Sequence, residues 1–543
     1  MTRNVIAVLL VLGLATVGAA QMAGNYTIDP AQKPSSLNFQ TFGAAITSLQ
    51  ANGISAPVKI SVATTVYRET VIINSGVKGA SATNQVTFVA PGAQPLIRPN
   101  GTDGLVINGP CSYINFENLK FQGASKYALW LNGASSLGRI QWLTFKKCNF
   151  EVGATTSTTR SAARFEYPWD CYFQDCVFRG GGYTVYSQQQ ARLYYERCEF
   201  DGKSQASYVI SPWNNNDSDN SYINCFFHSC GASGRLVYFN WSQYGCTLWN
   251  NTFIANTSQE AIFLGSCCAW TRCTSFRNNI VINQGTGPCV EFGGSASALD
   301  YNDADYNCYW ATKHTNVVQL ENSTSGPLKV WQNRIKNKVF TIVSGGGTSY
   351  DDNSIQADPK LVSMVSPYDI HLQGVSPCLD LIDTTKVKWI QGSWVTVPNP
   401  HPYIPTSVTD DFEGQPRGTL VDCGADEVGM QIVASGTPSP GGTVLLNLSA
   451  SADAGLPYQV GSSLGQGPIP IGTRQLDLSP DAMLQLSVTG LAPNIFVNYA
   501  NKLDASGVAV AKLVIPNIAA LKGTRIYSAF LTLKPSAPFG IES

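Results

Sequence analysis

The chain has 543 residues, of which only 13% are charged, and a formal net charge of −1. So balanced a surface has no field to draw in nucleic acid or an anionic membrane, which excludes polyanion binding as the main role. The length exceeds one ordinary compact domain and calls for several units or a repeat.

Residues 1–20 read as a secretory signal peptide. Arg3 supplies the positive start, Val5 to Ala15 is an apolar run too short to span a bilayer comfortably, and Val17-Gly18-Ala19-Ala20 offers small residues for cleavage. The mature chain is expected to begin near Gln21, to carry no integral membrane segment, and to be secreted or at the cell surface. The 15 cysteines are an odd number, so at least one thiol is left over or pairs between chains. Cys225/Cys230 and Cys267/Cys273 are close enough in sequence to be candidate bridges.

Residues 21–110 read as an N-terminal cap and first coils. Tyr26-Thr27-Ile28 has strand character. Phe39, Phe42, Ile46 and Leu49 then share one helical face, with Ser36 placed to cap the start and Gly53 the end.

A repeat follows over residues 111–432. Ile114-Asn-Phe116-Glu-Asn-Leu119-Lys-Phe121 recurs as Leu143-Thr-Phe145-Lys-Lys-Cys148-Asn-Phe150, as Cys171-Tyr-Phe173-Gln-Asp-Cys176-Val-Phe178 and as Leu193-Tyr-Tyr195-Glu-Arg-Cys198-Glu-Phe200. Looser copies end at Phe227, Phe253, Val281 and Tyr309. The period is too short for a βαβ unit but fits one coil of a solenoid built from short strands and Gly/Asn-rich turns. Equivalent positions then form columns. One reads Leu119, Cys148, Cys176, Cys198, Cys225, Asn251, Asn279, Asn307, an internal ladder of small thiols followed by hydrogen-bonded amides. Two charged columns, Glu151, Arg179, Asp201, His228 and Lys147, Asp175, Arg197, alternate in sign.

These motifs resemble those of right-handed parallel β-helix repeat proteins, a pectate-lyase-like superfold common among secreted bacterial proteins, some of them polysaccharide lyases. The resemblance spans roughly residues 24–430. It implies that the helix of residues 39–49 caps the open end of the solenoid. It also implies that Asp305-Tyr-Asn-Cys-Tyr309, Asp358-Pro-Lys-Leu361, Ser376-Pro-Cys-Leu-Asp380 and Asp422-Cys-Gly-Ala-Asp426-Glu-Val428 belong to closing coils. The fold class is all-β: a right-handed parallel β-helix with an N-terminal capping helix, followed by a small β-sandwich.

That sandwich is expected over residues 433–543. Ala434 to Gly442 reads as a Pro/Gly/Ser-rich linker, and Thr443–Leu448, Met483–Val488, Val508–Ile515 and Ile526–Leu533 read as strands.

A polysaccharide lyase needs a base for the proton beside a uronate carboxylate and a cation to neutralise that carboxylate. His228 beside Asp201 is a candidate base, with Arg179 as the carboxylate-binding group. The competing reading makes both charged columns salt-bridge ladders between coils about 4.8 Å apart. Asp300, Asp303 and Asp305 are candidate Ca²⁺ ligands, although their spacing is not that of an EF-hand loop; no other cofactor is indicated. No phosphate-binding glycine loop, HExxH or serine nucleophile elbow occurs. Tyr167, Trp169, Tyr183, Tyr186, Tyr208, Trp213, Tyr238, Trp241 and Tyr244 fall between the repeated cores. They are candidates either for an aromatic strip binding a linear glycan, chiefly Tyr167, Trp169, Tyr186, Trp213 and Trp241, or for loop packing. Low charge favours a neutral glycan, and a noncatalytic glycan-binding or extracellular structural protein over a lyase or glycoside hydrolase. A third reading is a self-assembling surface-layer or filament subunit, a homo-oligomer built end to end.

Overall fold

The computed structural model describes residues 20–134, 138–189, 191–212, 217–218, 220–239, 243–244, 246–266, 274–294, 302–320, 325–336, 351–373, 376–379, 381–383, 408, 410–415, 417, 420–427, 431–450, 453, 455–471, 474–504, 507–533 and 541–542. Residues 1–19, nearly all of the segment 1–20 read as a signal peptide, lie outside them. Among the described residues no helix is long and apolar enough to cross a membrane. The chain divides into two units, residues 1–153 with 162–172, and residues 154–161 with 173–543.

The first unit opens with strand Met22–Ile28 and helix Phe42–Asn52. The helix buries Phe42, Ala45, Ile46 and Leu49, so Phe42, Ile46 and Leu49 share a helical face as expected, while Phe39 lies before the helix. Its start is capped by Thr41, whose side chain accepts from the Ala44 amide at 3.1 Å, not by Ser36. Phe39 pairs in a short strand beside Ile28, which holds the chain extended past Ser36. Gly53 ends the helix as expected. Its φ is 68°, and a Cβ there would sit 2.7 Å from the Lys78 carbonyl oxygen.

Parallel strands then stack in register. Ile60, Phe88, Phe116 and Phe145 form one inward row, and Phe121 pairs with Phe150 in another sheet. The Phe88–Phe116 and Phe116–Phe145 rings stack at 5.4 and 5.2 Å. Aromatic residues suit this site because each coil alone leaves its inner face bare, and an identical ring one coil away covers it.

The second unit continues the same construction. Phe178, Phe200, Phe227 and Phe253 pair in register and stack at 5.2, 4.6 and 4.6 Å. Between the two strands of a coil lies a one-residue corner in the left-handed region. Asp175, Arg197, Asn224, Asn250, Asn278 and Tyr306 have φ between 52° and 57°. A single such residue turns the chain sharply, and Asn tolerates that region better than most non-glycine residues.

The predicted internal ladder follows immediately after each corner. The Cys198 and Cys225 thiols donate to the Phe173 and Tyr195 carbonyls at 3.4 and 3.6 Å. The Asn251, Asn279 and Asn307 side-chain amides donate to the Tyr222, Leu248 and Phe276 carbonyls at 3.0, 2.9 and 2.9 Å. These carbonyls are equivalent in successive coils. Cys and Asn share a column because each presents a small donor to the coil before. Asn adds an acceptor: Asn279 Oδ1 takes the Asn251 backbone and side-chain amides, both at 3.0 Å.

The Cys225/Cys230 bridge does not form. Cys225 points into the ladder, Cys230 pairs across to Ala206, and both thiols are free and buried. The other described cysteines are likewise buried, and Cys267/Cys273 lies outside the described residues.

Of the expected closing motifs, Asp305–Tyr309 continues the coils, and the later ones form a cover over their outer face. Leu361–Ser363 and Asp369–Leu372 make an antiparallel hairpin. Leu361, Ile370, Leu372, Cys378, Cys423 and Ala425 pack with Phe226, Ile254, Ile280 and Ile282 in a second core. Corner asparagines grip the segment that follows: Asn224 Nδ2 donates to the Asp410 carbonyl at 2.6 Å and Asn278 Nδ2 to that of Asp422 at 2.9 Å.

Towards the C-terminus, antiparallel sheets form a small sandwich. Gln431–Gly436, Thr443–Ser449, Val508–Val514 and Phe496–Val497 make one sheet, and Ala500–Lys502, Pro457–Ser463, Tyr527–Leu533 and Ile541–Glu542 the other. Leu446, Leu448, Tyr458, Val460, Leu513 and Phe530 fill the core. Two expectations change here. Ala434–Gly442 is not a linker; it ends a strand and turns back as a hairpin, with Gly436 opposite Val444. Met483–Val488 is not a strand but the body of helix Ala482–Thr489. Asp481 caps it by accepting from the Leu484 amide at 2.9 Å, Gly490 ends it with φ 71°, and Ala, Met, Leu and Gln are strong helix formers.

Candidate functional site

Two surface features of the second unit bring chemistry-bearing residues together. The first is the predicted charged column. Arg179, Asp201 and His228 are register partners on successive strands. Glu199, two residues before Asp201, shares its face of the strand and completes the group. Arg179 Nε donates to Asp201 Oδ2 at 2.9 Å and Nη2 to Glu199 Oε1 at 2.8 Å. His228 Nε2 lies 3.2 Å from Glu199 Oε1, and Nδ1 lies 2.8 Å from Ser229 Oγ, which in turn meets the Tyr368 hydroxyl at 3.2 Å. The imidazole stacks on Phe226 at 4.4 Å, and the Tyr368 ring lies against both, 4.7 Å from the imidazole and 5.6 Å from Phe226. Its side chain is 6% exposed. Glu151, expected in this column, makes its ion pair with Lys120 in the first unit at 2.9 Å.

This geometry is a closed ion-pair network. Burial pushes the Glu199 carboxyl up, but the His228 bond and the His228 and Arg179 charges outweigh it and hold the group below its ordinary value. Burial likewise opposes the Arg179 charge, yet Glu199 and Asp201 leave that guanidinium more basic than usual. Both donors of Arg179 named above are engaged by carboxylates, and a lyase would need them for a substrate carboxylate.

The depressed Glu199 value has a consequence for acid stability. Its contribution is present above the unfolded-state value near 4.5 and is lost as pH falls through the lower folded value. Glu199→Gln is expected to flatten the decline of the thermal midpoint between about pH 6 and pH 3. Parallel curves for variant and wild type would contradict the assignment.

The second charged column also forms an ion-pair network. Arg197 donates to Asp175 at 2.7 Å, to Glu196 at 2.5 Å and to Asp410 of the closing segment. Lys147 belongs to the first unit, where its carbonyl accepts from Gln94 Nε2 at 2.7 Å.

The aromatic candidates divide. Tyr183 and Tyr208 are register partners and stack at 5.5 Å, Tyr208 and Tyr238 stack at 4.5 Å, and Phe263 continues the row at 5.1 Å from Tyr238. Tyr186 stacks on Tyr183 at 5.4 Å. These rings are half-buried on the outside of the coils. Arg235 lies over Tyr238 at 5.0 Å and is ion-paired with the buried Glu260. Because the rings face one another, the row presents edges to solvent. Trp169 sits under Arg139 at 3.8 Å, and Tyr167 occupies a left-handed corner at φ 54°; both belong to the first unit. Trp213 and Trp241 lie outside the described residues, and Tyr244 is described only as backbone in strand Gln243–Tyr244.

The Asp300/Asp303/Asp305 candidate for Ca²⁺ is not assembled among the described residues. Asp305 is buried and its carboxylate accepts from the Tyr306 and Asn353 amides at 2.9 and 2.8 Å and from Asn353 Nδ2 at 2.9 Å, holding a turn. Asp303 is described only as backbone in strand Asn302–Asp305, and Asp300 lies outside the described residues.

An apolar cavity of about 760 Å³ lies within the C-terminal sandwich, lined by Val444, Leu446, Met483, Phe496, Leu513 and Ile526 among others. The reading of Met483–Val488 as a strand concealed it, since the helix forms part of the wall.

No family model matches the chain, and no curated protein matches it. Solved structures of similar construction include an alginate lyase from a Paenibacillus species, 12% identical over 51% of this chain and 97% of its own, with a TM-score of 0.34. A lacto-N-biosidase from Eubacterium ramulus is 10% identical over 57% of this chain and 66% of its own, at 0.35. A tailspike protein of Pseudomonas phage LKA1 is 10% identical over 88% of this chain and 65% of its own, at 0.23. The strand ladders themselves define the class: a parallel β-helix protein with an appended β-sandwich.

Proposed function

We propose that the protein is an extracellular β-helix that binds a neutral linear polysaccharide along its outer surface without cleaving it. The observation that carries this reading is the row formed by Tyr183, Tyr208, Tyr238 and Phe263, one aromatic from each successive coil, with Arg235 and Glu260 at its side. Rings one coil apart repeat every ~4.8 Å, a spacing commensurate with sugar units in an extended chain. Phenol edges and hydroxyls together with the Arg235 guanidinium, anchored by the buried Glu260, supply hydrogen bonds rather than face-on stacking. The balanced charge of the chain suits an uncharged ligand. The closed Arg179 network supports binding over cleavage.

The reading is tested by affinity electrophoresis through gels containing neutral polysaccharides. The wild-type protein is expected to be retarded by at least one, and a Tyr208→Ala/Tyr238→Ala variant to bind it about tenfold more weakly, the equivalent of roughly 1.4 kcal/mol. Equal retardation of a folded variant would remove the row from the site. A second reading, depolymerisation, is favoured by one feature only, the placing of His228 against Glu199 with Asp201 beside it.

A further inference from the structure

The hairpin and closing segment of the second unit bring together three groups that the function above does not use. His371 lies on strand Asp369–Leu372, while Glu413 and Asp426 lie on the segment that returns across the corner asparagines. One ligand-type atom from each, an imidazole nitrogen and two carboxylate oxygens, falls within 4.8 Å of the others.

Asp426 is 2% exposed. Its Oδ2 accepts from the Leu372 amide at 3.1 Å, but its Oδ1 is buried with no hydrogen-bond partner. That oxygen lies 3.9 Å from His371 Nε2, too far for a hydrogen bond. An unpaired buried carboxylate oxygen is costly, and native structures rarely leave one without a partner. Nearby Arg417 does not relieve it, since its guanidinium reaches the Asp426 carbonyl at 3.5 Å and pairs with Glu427.

On the far side of the imidazole, His371 Nδ1 bonds Asp369 Oδ1 at 2.5 Å. A proton on Nδ1 leaves the Nε2 lone pair directed towards Asp426, the carboxylate–histidine arrangement that orients metal ligands. Two ligands of one tetrahedral zinc ion, each about 2.1 Å from it, stand roughly 3.4 Å apart, so the observed distances close with small side-chain rotations.

We propose that His371, Glu413 and Asp426 bind a divalent cation of the zinc class. The imidazole favours zinc over calcium or magnesium, which prefer all-oxygen sites. The ion clips the 369–372 hairpin to the 411–426 segment, with solvent completing its coordination beside the exposed Glu413.

The test is zinc content by mass spectrometry after equilibrium dialysis of the full chain against zinc chloride. His228→Gln serves as a control, because Glu199, Asp201 and His228 form the other described group of metal-ligating type. Wild type and His228→Gln are expected to retain an ion that His371→Gln and Asp426→Asn lose. Asp369→Ala should bind about ten- to a hundredfold more weakly through loss of the orienting bond. His371 is half-exposed, so its variant is expected to fold, with near-ultraviolet circular dichroism as the check should Asp426→Asn fail. No zinc on the wild type, or equal zinc on folded His371→Gln, would overturn the proposal.

Discussion

Asn279→Ala is expected to destabilise the protein by about 3–5 kcal/mol, measured as a fall in the urea midpoint. Asn279 is fully buried and links three coils. Its amide donates to the Leu248 carbonyl at 2.9 Å and to Asn307 Oδ1 at 3.0 Å, while its oxygen accepts from the Asn251 backbone amide at 3.0 Å. Alanine leaves the Leu248 carbonyl and the Asn251 amide without these partners in a dry interior. Each orphaned group costs about 1–3 kcal/mol, beyond the modest net value of the bonds themselves. Asn279→Cys should cost less, because a thiol at this column position in earlier coils donates to the equivalent carbonyl. Equal losses for Cys and Ala would show that a thiol does not stand in for the amide donor at this position.

Arg417→Met is expected to cost a comparable 3–5 kcal/mol and to open the closing segment to proteolysis before the coils melt. The Arg417 side chain is 1% exposed. Its guanidinium donates to the Asp410, Gly424 and Ala425 carbonyls at 2.8, 2.9 and 2.9 Å, to Asn224 Oδ1 at 3.0 Å and to Glu427 Oε2 at 2.8 Å. Methionine restores much of the volume but leaves a buried carboxylate uncompensated. Arg417→Lys should recover little, since one ammonium cannot replace a planar fork that reaches several acceptors at once. Limited proteolysis followed by mass mapping reads the effect. Cleavage within residues 408–427 of the variant, at conditions that spare the wild type, is the expected pattern.

The solenoid was legible because its signal is local and repeated. Alternation within each coil and the Cys/Asn column fix both the strands and which residues face inward, and Phe200, Phe227 and Phe253 stack as that pattern requires. Errors fall where a local rule has a close competitor. Ser36 and Thr41 are both adequate caps, and strand pairing of Phe39 decides between them. Met483–Val488 is apolar enough for either a strand or a helix, and Asp481 with Gly490 tips it to helix. Cys225/Cys230 looked like a bridge from spacing alone, but the inward column takes Cys225.

The candidate site was only partly legible for a different reason. Arg179, Asp201 and His228 were found through register, and Glu199 was discoverable because it lies two residues from Asp201 on the same face. Tyr368, Asp410 and Arg417 reach the coils from 139 or more residues away in sequence, as the Ser229–Tyr368 and Asn224–Arg417 bonds show. No periodicity connects such positions. Tyr183, Tyr208 and Tyr238 stood among the aromatics between the repeated cores, but the sequence favoured Tyr167, Trp169, Tyr186, Trp213 and Trp241, and nothing in it told that the rings of successive coils would face one another.

The most direct test of noncatalytic binding follows the fate of the bound ligand. A polysaccharide that retards the wild-type protein is incubated with it for many hours, and the mixture is assayed for new reducing ends and for unsaturated products. The account predicts retention of the full-length polymer with neither product, and weaker retention by Tyr208→Ala/Tyr238→Ala. Either product, if abolished by His228→Gln in a folded protein, would contradict the account and make Glu199, Asp201 and His228 an active site.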